Sequence, residues 1–525
     1  MCVFVAVQVG VMLLAISHES LWIDEFWTAH LAEMPSFRAF MDLLLVPSGS
    51  QTPLHFLHFY AWEQLVPRGE FLLRLGNLPL FVAGQWALFW ALRSYPAKFT
   101  VLMLALSALH PMVWQYANEA RPYIMMYAGA QMMLAALLHF HQHLPAPGSR
   151  TGRLETLPAF LFVLGGILLF GASLLGAFWV FAASVYLAWQ LHVRAQWRVL
   201  LAGTTPLLLG AFIVATAVLT AYYLSSLLQG AGASRLNTSS PATVAFLVYE
   251  VLGLAGLGPS RLDLRVTGMA ALRPYLVVLP VATAVFALTL ALGLKVASQR
   301  LGGLKLALVL LCGLFPVLVV IASGFAMHWR VLGRHMIGAL PLLNLLLALG
   351  LVALLDRAPR PGRALRWAVA GACLLALLVS SLSLRFAPRH AKDDYKAAAA
   401  LALQAHAQGQ RVWWAADVVG AHYYGLPGEF DYMSELTSVH KPMVCADLPG
   451  IQSVPNATRD CLDKLSAPDL VILSKPETFD SRGDIAGYLK AGRFRVVQQM
   501  PAFAVWQRAG SDPPGSPQAR GSATP

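Results

Sequence analysis

Asp24 and Glu25 stand side by side in SHESLWIDEFWTAHL. A carboxylate there could take a proton from a hydroxyl nucleophile as general base, or help to hold a divalent metal. The dipeptide alone also leaves open a solvated loop. HPMVWQYANEARPYIMMY carries Glu119, Arg121 and Tyr123. The Arg121 guanidinium suits a phosphate, which it can grip through two parallel hydrogen bonds, or it could simply pair with Glu119. FAMHWRVLGRHMIGALP adds His328, Arg330, Arg334 and His335, and LVYEVLGLAGLGPSRLDLR adds Arg261 and Arg265 after a Gly-rich turn. His55 and His58 fall in PSGSQTPLHFLHFYAW. Spacing alone favours a packed or interfacial role over a ligand role for His55, on an amphipathic helix lying along a membrane surface. Carboxylates beside cations point to proton transfer next to an anionic substrate.

Apolar helices must carry these clusters. Of 525 residues, 57% are hydrophobic and 12% charged, against roughly 25% charged in soluble domains. That much apolar surface cannot be hidden in one soluble core. It comes in blocks such as FVAGQWALFWAL and LALVLLCGLFPVLVVIASGFAM, several near the ~20 residues that cross ~30 Å of hydrocarbon as helix. The expected fold is an α-helical polytopic membrane protein of about 11 transmembrane helices with a small C-terminal α/β soluble domain. The spans read at about 2–17, 71–92, 99–116, 122–141, 157–172, 173–191, 199–224, 273–294, 306–327, 333–354 and 367–385. The first is short, with no Lys or Arg before it, which leaves room for a start further upstream. It has neither the charged n-region nor the small-x-small site of a cleavable signal.

Charge sets the orientation. Arg93, Lys98, Arg150, Arg153, Arg194, Arg198, Lys295, Arg300, Lys305, Arg357, Arg360, Arg363 and Arg366 fall in one set of linkers. The opposite set holds Glu19, Asp24, Glu25, Glu33, Asp42, Glu63, Glu70, Glu119, Glu250 and Asp263. By the positive-inside rule the basic set faces the cytoplasm, and everything after about 386 lies outside. The net charge of +12 then reflects topology, not nucleic-acid binding. Arg330, Arg334, Arg261 and Arg265 break the rule on the exported side. An anionic ligand at the outer leaflet explains them most simply, with lipid headgroups as the alternative.

Three regions are expected: a membrane domain at 1–385, an exported α/β domain at 386–510, and a Pro/Gly/Ser-rich tail at 511–525 of disordered composition. In the second, KDDYKAAAALALQAHAQGQ reads as a helix ended by Gly409, and RVWWAAD, PDLVILSK, FRVVQQM and AFAVWQR as strands. Cys445 and Cys461 could pair there if the domain is exported; Cys2, Cys312 and Cys373 sit in spans as packing residues. His422, Tyr423 and Tyr424 offer aromatic faces to a sugar, although a strand–helix junction in a small core explains them as well. No internal repeat or metal-type Cys/His spacing is visible.

WIDEFWTA, QTPLHFLHFYAW, YANEARPYIMMY and the later RVLGRH followed by a proline occur in an order that resembles the C-type glycosyltransferases of bacterial membranes. The chain is similar in particular to the group of protein O-mannosyltransferases and lipid A aminoarabinose transferases (glycosyltransferase family 39-like). The likeness covers about the first 385 residues in architecture and these short strings in detail. It implies a polyprenyl-phosphate-linked sugar as donor, a lipid, glycan or protein hydroxyl as acceptor, and inversion at the anomeric carbon. It further implies action on the periplasmic side of the cytoplasmic (inner) membrane among membrane lipids, with no nucleic-acid partner.

Carried over by residue, the resemblance implies Asp24 as general base with Glu25 as neighbour or substitute. Glu119 and Tyr123 would line the cavity, Arg121 and Arg334 would hold the donor phosphate with His335 assisting, and His55 would face the sugar or phosphate. The sequence assigns no cofactor; a divalent metal could aid the phosphate, although no spacing demands one. A lipid-linked sugar transporter or flippase is the rival reading, and would be expected to carry charges deeper in its spans or broken helices in matching halves.

Overall fold

A computed structural model describes residues 2–46, 52–144, 154–229, 239–300, 307–356, 362–430 and 445–509. The expected tail at 511–525, the basic linker residues Arg150, Arg153, Lys305, Arg357 and Arg360, and the side chain of Cys2 lie outside them. The chain divides into two units: Met1–His18 with Leu31–Ala391, and Glu19–His30 with Lys392–Pro525.

The first unit is helical, and each of the eleven expected segments lies on helix. Among the described residues, eight helices are long and apolar enough to cross a membrane, or nine with one bent pair, which does not confirm the expected count of about eleven. Cys2–Ala15 has 14 residues and Thr156–Ala172 has 17. At about 1.5 Å per residue these rise about 21 and 26 Å, short of ~30 Å of hydrocarbon. The bent pair is Ala97–Leu109 with Pro111–Ala117, angled by 46°. Pro111 has no N–H and pushes His110 to an extended backbone (φ −64°, ψ 131°). The carbonyls freed at the break are satisfied: Trp114 Nε1 donates to Ala108 at 3.0 Å and Ser381 Oγ to Leu109 at 2.6 Å. Lipid cannot do this for them.

Helix Tyr123–His143 is buried along its span and is the axle of the unit. It packs on Thr156–Ala172 through Gly129 and Gly165, where a Cβ on either would meet the other's carbonyl oxygen at 2.6 Å. Small residues permit this closeness, and dispersion then holds the helices together. Helix Thr205–Leu228 is the opposite case, with Leu207, Ile213, Val214, Val218 and Leu224 exposed. Such an apolar surface suits lipid rather than water.

The second unit is a mixed sheet of β1 (Val412–Ala415), β2 (Gln452–Ser453), β3 (Leu470–Ser474), β4 (Phe494–Met500) and β5 (Phe503–Arg508), ordered β2-β1-β3-β5-β4. β1 runs parallel to β2 and β3, and β5 runs antiparallel to β3 and β4. Four strands match the sequence reading. β2 is new: its two residues are too few to show an alternating pattern. Trp413 and Trp414 are fully buried. Their neighbours differ, as strand alternation requires: Trp413 meets Tyr488 at 5.0 Å, whereas Trp414 meets Phe503 at 6.1 Å. Helix Tyr395–Ala407 starts on an Asp394 cap and stops at Gly409, with φ +79°. Cys445 and Cys461 form a disulfide.

Candidate functional site

Helix Ile23–Ala32 carries Asp24 and Glu25 in its first turn, where negative charge is favoured by the free N–H groups. The sequence reading had a loop there. Glu25 is fully buried; Lys392 Nζ reaches its Oε2 at 2.9 Å and the Trp22 amide donates to the same oxygen at 3.3 Å. Asp24 is half-buried, the more accessible of the two. Phe26, also buried, meets the rings of Tyr395 at 5.1 Å, Tyr423 at 5.7 Å and Tyr424 at 5.9 Å. Tyr424 OH also reaches Ser20 Oγ at 3.0 Å. These aromatic side chains therefore pack the segment Glu19–His30 within the second unit. His30 lies 6.0 Å from His422, ring to ring. Burial first, then the charge of His422, lowers its pKa to about 4.

The first unit gathers the cations. Helix Pro111–Ala117 ends at Asn118, whose Oδ1 accepts the Ser17 amide at 2.7 Å. Asn77 Nδ2 donates to the carbonyls of Ala117 at 3.1 Å and Glu119 at 2.8 Å. Pro122 then opens helix Tyr123–His143, so Glu119 and Arg121 sit on a short pinned connection, 4% and 7% exposed. His55, on helix Pro53–Glu63, is fully buried beside Phe59, at 4.6 Å. Burial, then the charges of Arg121 and His58, hold its ring well below the ordinary value, against a hydrogen bond with the backbone of Ala120. His55 thus lies close enough to Arg121 to feel its charge.

Glu250 organises the rest, and sequence reasoning missed it. It ends a helix capped by Ser240 and is 2% exposed. Its Oε1 takes Arg261 Nη2 at 2.5 Å and Nε at 3.1 Å, while its Oε2 accepts the Gly333 amide at 3.0 Å. Arg261 Nη2 also donates to Tyr116 OH at 3.1 Å. With its amide oxygen turned inward, Gln115 accepts from Arg261 at 2.8 and 3.0 Å. Burial alone would lower the Arg261 pKa; Glu250, Tyr116 and Glu119 outweigh it and raise it well above the ordinary value.

Around this hub stand Arg265, Arg330 and Arg334. Arg334 lies over the Tyr123 ring at 5.8 Å, and that ring meets Tyr116 at 4.6 Å. Arg330 has its pKa lowered by burial, then by the charges of Arg265 and Arg334. His335 is engaged locally: its Nδ1 accepts the Leu332 amide at 3.1 Å and its ring meets Trp329 at 5.2 Å. Within this unit the structure brings Arg121 to His55, and Arg334 to Tyr123. The signal for Glu250 was present in VYEVLGLAGLGPSR, where it counted only as one more outward carboxylate.

No protein-family model matches the sequence, and no curated protein matches it. The chain is similar to the solved structure of ArnT from Cupriavidus metallidurans bound to undecaprenyl phosphate, with 14% identity and a TM-score of 0.48 over 97% of this chain and 98% of that one. It is similar to the arabinofuranosyltransferase AftD from Mycobacteria at 15% identity and a TM-score of 0.43, over 96% of this chain and 41% of AftD. The oligosaccharyltransferase of Archaeoglobus fulgidus gives 11% identity and a TM-score of 0.44, over 90% and 68% of the two chains.

Chemically, an arginine cluster of this kind can receive an anion. Guanidiniums that repel one another gain from a phosphate, which neutralises them and takes their parallel donors. Among the described residues no three His, Cys, Asp or Glu side chains converge as metal ligands would.

Proposed function

We propose that the protein is an inverting glycosyltransferase, which moves a sugar from a polyprenyl-phosphate donor to a hydroxyl acceptor on the outer face of the cytoplasmic membrane. The acceptor is a glycan, lipid or protein. The observation that carries this reading is the set of arginines around Glu250, in linkers that the charge pattern of the sequence would assign to the exported side. The order of motifs from WIDEFWTA to RVLGRH supports it.

Asp24 is the base in this proposal. It takes the proton of the acceptor hydroxyl, whose oxygen attacks the anomeric carbon from the face opposite the phosphate. The bond from that carbon to the phosphate oxygen breaks, and the lipid phosphate leaves with the electron pair. Negative charge grows on the leaving phosphate, so fixed cations at Arg121 and Arg334 stabilise the transition state more than the ground state. A positioned base contributes about 10²–10⁴-fold. Glu119, Tyr123, His55 and His335 line the donor side, and Glu25 supports the helix that carries Asp24.

The test uses membranes bearing wild type, Asp24→Asn or Arg334→Ala, radiolabelled polyprenyl-phosphate sugars and a cell-envelope extract as acceptor. Label leaving the donor with wild type, lost in Asp24→Asn at equal insertion, is the expected result. Donor crossing the bilayer with its glycosidic bond intact, in wild type and Asp24→Asn alike, would replace the enzyme with a transporter.

A further inference from the structure

We propose that a buried site between Ser107, Tyr127, Gln131 and Asn344 binds water inside the membrane domain and joins four of its helices by hydrogen bonds. The site lies within the first unit and is independent of the sugar-transfer reading.

Its origin is Pro111. Ser107 sits in helix Ala97–Leu109, and its carbonyl would accept the N–H of residue 111 if the helix ran on. Proline has no N–H to give, so that carbonyl is freed at the break. Tyr127, on helix Tyr123–His143, supplies the missing donor: its hydroxyl reaches the Ser107 carbonyl at 2.9 Å. Asn344, on helix Leu340–Leu355, donates through Nδ2 to the same hydroxyl at 3.3 Å. Gln131 lies one turn after Tyr127, on the same helix face. Its side chain leans toward the Tyr127 hydroxyl, and its Oε1 presses on Gly84 of helix Asn77–Leu92, where any Cβ would overlap it. Four helices thus meet at one polar spot, and all four belong to segments apolar enough to cross a membrane.

The spot is not closed by its own groups. Ser107, Tyr127, Gln131 and Asn344 are each fully buried. Yet Ser107 Oγ, Asn344 Oδ1 and both amide atoms of Gln131 find no hydrogen-bond partner among the described residues. Turning the Gln131 amide over exchanges one unpaired atom for the other and relieves nothing. Lipid offers no partner either, and a buried polar group without one is costly. Water relieves that cost, since a buried water makes about three hydrogen bonds to such groups. The unpaired set also decides the class of ligand. It mixes oxygen acceptors with the Gln131 Nε2 donor, which suits a molecule that both donates and accepts. A hard metal cation takes oxygens alone, and an N–H donor would face it with the wrong polarity.

X-ray radiolysis of the full-length protein in detergent tests the site. Ionised water yields hydroxyl radicals, which add oxygen to a buried tyrosine ring only where water stands beside it. Tyr223 is the dry control: it is 1% exposed, and its hydroxyl is closed on the Phe170 carbonyl at 2.7 Å. In wild type, Tyr127 should gain oxygen several times faster than Tyr223. Gln131→Leu with Asn344→Leu removes three of the four unpaired atoms and should bring Tyr127 down to the rate of Tyr223. Gln131→Asn, which keeps an amide, should leave the Tyr127 rate high. Equal rates for the two tyrosines in wild type would overturn the proposal. So would a high Tyr127 rate that persists in the double Leu variant while Tyr223 stays low, because the water would then not be held by these groups. If the double variant unfolds, Tyr223 gains oxygen as well, and the wild-type comparison decides alone.

Discussion

Glu250 and Gly333 approach more closely than any side chain at position 333 would allow. The carboxylate accepts the Gly333 amide at 3.0 Å, and a Cβ there would come within 2.4 Å of the same oxygen and 2.8 Å of Glu250 Cβ. Glycine therefore lets a buried carboxylate reach backbone on one side and Arg261 on the other.

Gly333→Ala should displace that carboxylate and loosen Arg261. Because Arg261 is 45% exposed, the loss belongs with hydrogen bonds to a buried charged group, about 1–3 kcal/mol, rather than with a fully buried ion pair. Thermal unfolding in detergent measures it. In a Glu250→Ala background the same change should cost far less, since the clash has gone; equal costs in both backgrounds would show that the clamp does not exist.

Lys392→Ala should be among the costliest single changes in the second unit. It takes the paired cation from Glu25, which is fully buried, and removing one partner of a buried ion pair costs about 3–5 kcal/mol. Glu25→Gln with Lys392→Met should recover most of the loss. On the proposed reading, Asp24→Asn should remove sugar transfer in protein that still inserts normally, an effect on activity rather than on this buried pair. That contrast separates the two adjacent carboxylates, which the dipeptide alone could not.

Glu63 should make stability depend on pH. Burial, then the neighbouring charge of Glu33, raises its pKa to about 7 against the pull of Arg68, which pairs with Glu33 at 2.7 Å. A carboxyl raised in the folded state favours the fold while protonated. Its contribution is full below about 4.5, the ordinary value, and is lost as pH climbs toward about 7. Melting temperatures across that window should fall with pH, and Glu63→Gln should flatten the fall.

Non-reducing peptide mapping should recover Cys445 joined to Cys461. The bridge spans 16 residues, and the chain-entropy account gives such a loop about 3 kcal/mol. Reductant, or Cys461→Ser, should lower the unfolding midpoint of the second unit accordingly. Cys312 and Cys373 are buried and should resist alkylation until unfolding.

Much of this architecture could be read locally. Eleven apolar runs gave eleven helical segments, because a backbone in lipid has no partner but itself. Four strands showed in RVWWAAD, PDLVILSK, FRVVQQM and AFAVWQR, where β-branched and aromatic residues cluster between turn formers. The span count of about eleven is not confirmed, since Cys2–Ala15 and Thr156–Ala172 are apolar but short. Helix Ile23–Ala32 was hidden, as ten residues with two acids at the start resemble a polar loop until Phe26 is seen buried against Tyr395.

The sequence by itself named the candidates for chemistry: an acidic pair, a histidine and arginines among otherwise acidic linkers. Only the tertiary structure decided their standing. It commits Glu25 to Lys392, sets His55 beside Arg121, and makes Glu250 the clamp between Arg261 and Gly333, 11 and 83 residues away. The physical reason is range. Hydropathy and charge bias act residue by residue and leave their mark in the string. A buried carboxylate's partners are chosen by whichever donors packing brings within about 3 Å, and nothing local records that choice.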